Sequence, residues 1–338
     1  MNTNDANPPP IKRRILCIDG GGILGTFPAA FLAGLEEHLD GRPVGSHFDL
    51  IAGTSTGGII AIGLALGLTA KELLQLYETH GPAIFGQGRG AIRDSLSRLW
   101  RTGRWALAHK HDAGPLKAAL ESVFKTQRIG DARTRLLIPA WNPLERGVYI
   151  YKTAHHHRLR NDYKALAVDA AMATAAAPTY FPQHVTGQSV GLSDGGTWAN
   201  NPTALAVVEA LTLLGWPKDS LHILSVSCLN EVYTVRKSVG IGTLGTKILN
   251  LFMDGQSHGA LGMAKLLTGH QHEREAIYRI DPEVPRGDFK MDDPRVIQDM
   301  KGMGFALARK QLAVLAPVFF GSPAEAFTPV YRLDGGRT

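Results

Sequence analysis

Cysteine is nearly absent: the 338 residues contain two, Cys17 and Cys228, each inside an apolar run. A disulfide scaffold and a cysteine-built zinc site are excluded as organising features, and two buried strand thiols fit a reducing compartment. No group of His, Cys and carboxylates has metal-ligand spacing, so neither a metal nor a cofactor is expected. The N-terminal MNTNDANPPPIKRR lacks the apolar core of a signal peptide. Residues 1–12 read as a disordered tail. Repeats, low-complexity segments and obvious linkers are missing, which argues for one domain over 13–330. One stretch alone approaches a membrane span: Leu50 to Ala70 carries no charge over 21 residues. Its five glycines and its Thr54-Ser55-Thr56 fit a turn between a buried strand and a buried helix better than a span.

The material that is present suits a large core, with 44% hydrophobic and 20% charged residues. Lys and Arg number 36 against 30 Asp and Glu, a net charge of +6. That balance permits an anionic partner; a nucleic-acid duplex is not expected.

Along the chain, strands alternate with helices. Residues 13–19 form an apolar run that ends in Gly20-Gly21-Gly22, and helical spacing follows over 27–39. Phe48 to Ala52 is a second strand, followed by a helix from Ile59 to Leu66. Thr69, with Glu72 three residues on, caps a helix over 70–79. Strands are expected at 136–141, 147–153, 189–192 and 221–228. Helices are expected at 164–176, 203–214 and about 294–316. The pattern predicts an α/β three-layer sandwich with a mostly parallel central sheet and helical insertions.

Three glycine-rich pieces carry chemistry. Gly20-Gly21-Gly22-Ile23-Leu24-Gly25 satisfies G-x-G-x-x-G, yet Asp40, the acidic residue at the right distance, ends a helix pattern and not a strand. The dinucleotide reading is therefore weak, and bare backbone N–H groups have a second use in holding an oxyanion. Gly53-Thr54-Ser55-Thr56-Gly57 puts a serine on a tight strand-to-helix turn. Asp194-Gly195-Gly196 follows a short strand, where Asp194 either closes an Asx turn or takes a proton from a nearby serine. A serine–aspartate–histidine triad is the alternative, with His222, His258, His270 and His272 all downstream of Asp194.

These pieces, in this order and spacing, resemble the patatin-like phospholipases. The likeness extends to Ala171–Pro182 and covers roughly residues 13–215. It implies a Ser–Asp dyad without histidine, with Ser55 as nucleophile and Asp194 as base. It also implies an oxyanion hole from Gly20, Gly21 and Gly22, and a membrane phospholipid as substrate. Leu24 departs from the family, which often has Arg or Lys there. Some bacterial members of the family serve in antiphage defence and are switched on by cyclic nucleotides. The resemblance thus extends to a cyclic nucleotide activator, with 229–275 as a regulatory region, and leaves a homo-oligomer open.

Residues 89–135 hold eleven Lys and Arg against four Asp and Glu. Within this basic insertion near 86–135, Ile92, Leu96, Leu99 and Trp100 fall on one helical face. Arg93, Arg98, Trp100 and Arg101 are the expected contacts to anionic lipid or to an anionic ligand, a solvated helix being the alternative. The enzyme is expected in the cytoplasm, peripheral to the inner face of the membrane when active.

Overall fold

The structure is a computed structural model that describes residues 11–86, 111–231, 247–285 and 289–334. Its strands are β1 (Arg13–Ile18), β2 (Leu50–Gly53), β3 (Arg135–Asn142), β4 (Gly147–Lys152), β5 (His184–Val185), β6 (Gly191–Asp194), β7 (Leu221–Val226), β8 (Asn230–Glu231), β9 (Ile277–Ile280) and β10 (Glu283–Val284). Its helices are α1 (Thr26–Glu36), α2 (Thr56–Leu66), α3 (Ala70–Phe85), α4 (Gly114–Phe124), α5 (Ala167–Thr174), α6 (Gly196–Ala199), α7 (Thr203–Thr212), α8 (Lys247–Thr268) and α9 (Ile297–Leu315).

The main sheet runs β5-β6-β3-β2-β1-β7-β9, with β4 beside β3. β1, β2, β3, β7 and β9 are parallel, while β4, β5 and β6 make the sheet antiparallel at one edge. β8 and β10 form a separate two-stranded ribbon. The period of two along β1 explains the layers. Leu16 and Ile18 face a cluster containing Phe27, Phe31 and Ile60, and Ile15 and Cys17 face one containing Val207, Ala210 and Ala264. Helices therefore cover both faces, which is why the central strands read as unbroken apolar runs. Phe27 and Phe31 are fully buried, and each contributes roughly 1.5–3 kcal/mol by leaving water.

The uncharged stretch 50–70 is β2, a turn and α2, all packed inside the domain. Thr69 and Glu72 form the expected capping box on α3. That helix then continues through Gly81-Pro82 to Phe85, six residues beyond the periodic pattern's end. α9 packs along α1 at small residues: a Cβ added to Gly304 would lie 2.6 Å from Ala30 Cβ. The stretch from Pro294 to Phe320 is long and apolar enough to cross a membrane by length and composition. Of the basic stretch near 86–135, residues 87–110 lie outside the described residues, and with them Arg93, Arg98, Trp100 and Arg101. The remainder holds α4, whose Leu116 and Leu120 join the core. Within 229–275, residues 232–246 lie outside the described residues and α8 occupies most of the rest.

Candidate active site

β1, β2 and β6 each deliver one glycine-rich turn to the same end of the sheet. At the end of β2 the chain reverses so tightly that the glycines flanking Ser55 have no room for a side chain. A Cβ on Gly53 would sit 2.2 Å from the Gly57 carbonyl oxygen, and one on Gly57 would sit 2.4 Å from that of Ile18. Ser55 itself is held at φ 55° and ψ −125°, strain on the order of 1–3 kcal/mol that the surroundings must enforce. They do so by hydrogen bonds. The Ser55 N–H donates to Thr174 Oγ1 at 3.0 Å, whose hydroxyl donates to the Pro139 carbonyl at 2.6 Å. The Thr54 hydroxyl donates to the Ala199 carbonyl at 2.6 Å.

Asp194 closes β6, paired antiparallel with Ala140 of β3. Its two carboxylate oxygens are used differently. Oδ1 accepts the Gly196 N–H at 2.6 Å, the Asx turn read from sequence. Oδ2 accepts the Ser55 hydroxyl at 2.6 Å. Gly195 lets the turn press against β3, since a Cβ there would lie 2.3 Å from the Pro139 carbonyl oxygen. Asp194 is buried, and burial pushes its carboxyl up from 3.8 to about 6 against the opposing pull of the two hydrogen bonds.

None of the four candidate triad histidines hydrogen-bonds Ser55 or Asp194 among the described residues. His222 lies beside Arg274, and desolvation with that positive neighbour holds it down to about 4. His258 is exposed on α8 with Nδ1 against the Asp254 carbonyl, and His270 Nδ1 accepts from the Ala276 and Ile277 N–H groups. His272 is exposed.

The glycine turn after β1 splits into two kinds of donor. Gly20 donates its N–H to the Asn200 carbonyl at 3.1 Å, so that group is spent. The N–H groups of Gly21 and Gly22 have no partner among the described residues, and both residues line the cleft above Ser55. Gly22 has φ +59°, and Ile23 N–H ties the turn to the Met291 carbonyl at 2.9 Å. Leu24 is buried. The cleft, open to solvent, continues from Ser55 and Asp194 along Ile59, Leu76, Ile84, Phe85 and Phe181. Such a wall accepts a long apolar chain and orients it with a few polar groups at one end.

Thr174 escaped the sequence reading, and so did a residue behind the site. Arg279 on β9 reaches Asp19, just ahead of the glycine turn, with Nη1 to Oδ1 at 3.1 Å and Nη2 to Oδ2 at 2.7 Å. Nη1 also donates to Ser225 Oγ at 2.8 Å. This buried bidentate pair fixes the root of the turn. Arg279→Met is expected to destabilise the fold by about 3–5 kcal/mol, because Asp19 is left buried and unpaired. Adding Asp19→Asn should recover part of that loss. Urea unfolding reads both, and an undiminished midpoint for Arg279→Met would show the pair to be dispensable.

The sequence model of the family described as patatin-like phospholipase matches residues 16–207, a span that contains Ser55, Asp194 and the glycine turn. The chain belongs to this family. It is a lipid acyl hydrolase. A cGAMP-activated phospholipase of Pseudomonas aeruginosa is 37% identical over 263 residues, 76% of each chain. One of Vibrio cholerae is 33% identical and covers 95% of this chain and 99% of its own. One of Escherichia coli is 29% identical over 93% and 94% respectively. Arg279, α8 and α9 lie beyond the matched family span, so nothing in the family's motifs points to them.

Proposed function

We propose that this patatin-like hydrolase is a phospholipase A-type enzyme acting through Ser55 and Asp194. The observation that carries the reading is the 2.6 Å hydrogen bond from Ser55 Oγ to Asp194 Oδ2 at the polar end of an apolar cleft. Ser55 Oγ attacks the acyl carbonyl carbon of the lipid, and its proton passes to Asp194. Negative charge developing on the carbonyl oxygen is held by the free N–H groups of Gly21 and Gly22. The lysolipid alcohol leaves with the proton from Asp194. Water then attacks the acyl–Ser55 ester and gives its proton to Asp194; the acyl–Oγ bond breaks, Asp194 returns the proton to Ser55 Oγ, and the fatty acid departs.

The pH profile follows from Asp194. A base must be ionised, and a carboxyl raised to about 6 stays protonated to higher pH than an ordinary one. The turnover of a soluble short-chain ester is expected to fall as pH is lowered through about 6. A flat profile between pH 5 and 8 would remove Asp194 as the base.

We also propose a cyclic nucleotide activator, on the strength of three relatives named for activation by cGAMP. The active enzyme sits at the membrane surface, with the basic stretch near 89–104 as a candidate contact. Vesicles of phosphatidylethanolamine and phosphatidylglycerol, incubated with the protein and a panel of cyclic dinucleotides, can be read by lipid mass spectrometry. Fatty acid release that needs both Ser55 and one nucleotide is the expected result. Release independent of every nucleotide sinks the activator. No release, together with no fluorophosphonate labelling at Ser55, would instead leave a nucleotide-binding protein without catalysis.

A further inference from the structure

Helix α8 presents an uncovered face. Leu251, Phe252, Met263, Leu266 and Leu267 are exposed, Phe252 at 66% and Leu266 at 77%. Among the described residues they make up five of the twelve exposed large hydrophobics. At about 100° per residue they share one side of the helix with Gly255, Gly259 and Gly262. No atom lies within 4 Å of where a Cβ on any of these three glycines would stand. Asp254 and Lys265 flank the face, and from Leu251 onward none of α8's charged residues interrupts it. The other side is spent on the fold, with Ala260 and Ala264 buried, and Gln256, which falls between Met263 and Leu267 round the helix, accepts the Asn201 N–H with Oε1.

The helix borders the active site through its packed side, about 100° round from Phe252. Met253, next to Phe252, lines the cleft that holds Ser55 and Asp194. From there Leu266 is thirteen residues along the helix, roughly 20 Å at 1.5 Å per residue. An apolar strip with no charge within it, on a helix that borders the apolar cleft of a lipid acyl hydrolase, suits the acyl boundary of a bilayer. We propose that α8 docks the enzyme on a phospholipid bilayer, with its Leu251–Leu267 face at the acyl boundary and lipid entering the cleft past Met253. This rests on the chain's being a lipid acyl hydrolase.

The test uses the full chain and vesicles of phosphatidylethanolamine and phosphatidylglycerol. In the double variant Phe252→Gln, Leu266→Gln, vesicle binding and vesicle hydrolysis should fall at least about tenfold. Hydrolysis of a soluble short-chain ester should stay within about twofold, because neither residue lines the cleft. Wild-type binding should survive 0.5 M salt, which screens charges but leaves apolar contact intact. In a separate variant Phe252→Cys, an environment-sensitive dye should shift to the blue on vesicles. Cys17 and Cys228 are buried, with thiols pushed up by desolvation, so labelling falls on the new site. Undiminished vesicle binding by the double variant, or an unshifted dye, overturns the proposal. So does a dimer that the double variant splits while vesicle binding holds, since the glycines would then serve helix pairing between two copies. All hydrolysis assays include the panel of cyclic dinucleotides, and failure of the wild type to hydrolyse even the soluble ester in their presence would count against the hydrolase reading itself.

Discussion

Ser55→Ala and Asp194→Asn are each expected to reduce turnover by roughly 10⁴-fold or more, with the double variant little worse than either. The first removes the attacking oxygen. The second removes the proton acceptor while keeping the shape: an Asn oxygen can still accept the Gly196 N–H, and its amide can face Ser55. Groups that act as a unit lose activity together. If Asp194→Asn kept a tenth of the activity while a change at His222, His258, His270 or His272 abolished it, a triad would replace the dyad. The same substitution should move stability the other way. A buried carboxyl raised from 3.8 to about 6 disfavours the folded state once it ionises, by about 3 kcal/mol. That cost accrues as pH rises from about 4 to about 6 and is complete above. Asp194→Asn should therefore raise the melting temperature at pH 8, with the gain fading as the pH is lowered toward 4. Activity and stability would then trade against each other at one atom pair.

What the sequence made legible was local. Gly53-Thr54-Ser55-Thr56-Gly57, Asp194-Gly195-Gly196 and the Thr69–Glu72 box each signal a backbone event within a few residues, and the structure places a turn or cap at each. The alternation along β1 and the helical spacing after it are equally local. What stayed hidden was pairing across the chain. Arg279 meets Asp19 across 260 residues, and β9, only four residues long, gives too short a pattern to register as a strand. Thr174 looked like one more small residue of an alanine-rich helix until its hydroxyl was seen to hold the Ser55 N–H. The helix α8 within 229–275 gave no legible signal, because Gly255, Gly259 and Gly262 weaken helix propensity, while the buried Ala264 packs it onto α7. The spending of the Gly20 N–H on the Asn200 carbonyl is likewise a fact of the assembled sheet.

Gly22→Ala is expected to lower turnover about a hundredfold, by removing one oxyanion donor worth on the order of 3 kcal/mol. Two features make this position unforgiving. Its φ of +59° is a conformation that L side chains rarely adopt, and its added Cβ would stand 2.4 Å from the Met291 carbonyl oxygen. A backbone oxygen cannot rotate away as a side chain can, so the turn itself must move. That shift breaks the Ile23–Met291 hydrogen bond and displaces the Gly22 N–H, which has no partner among the described residues. The strain of a positive φ can be separated from the loss of the donor. Gly41 has φ +75° with nothing within 4 Å of its would-be Cβ, and it lies outside the cleft lining. Gly41→Ala should cost about 1 kcal/mol of stability or somewhat more, and leave the turnover of a soluble ester unchanged. Comparing kcat and melting temperature for the two variants isolates the site effect. Equal turnover in folded Gly22→Ala and Gly41→Ala would mean that the glycine turn serves packing against Met291, and that the oxyanion is held elsewhere.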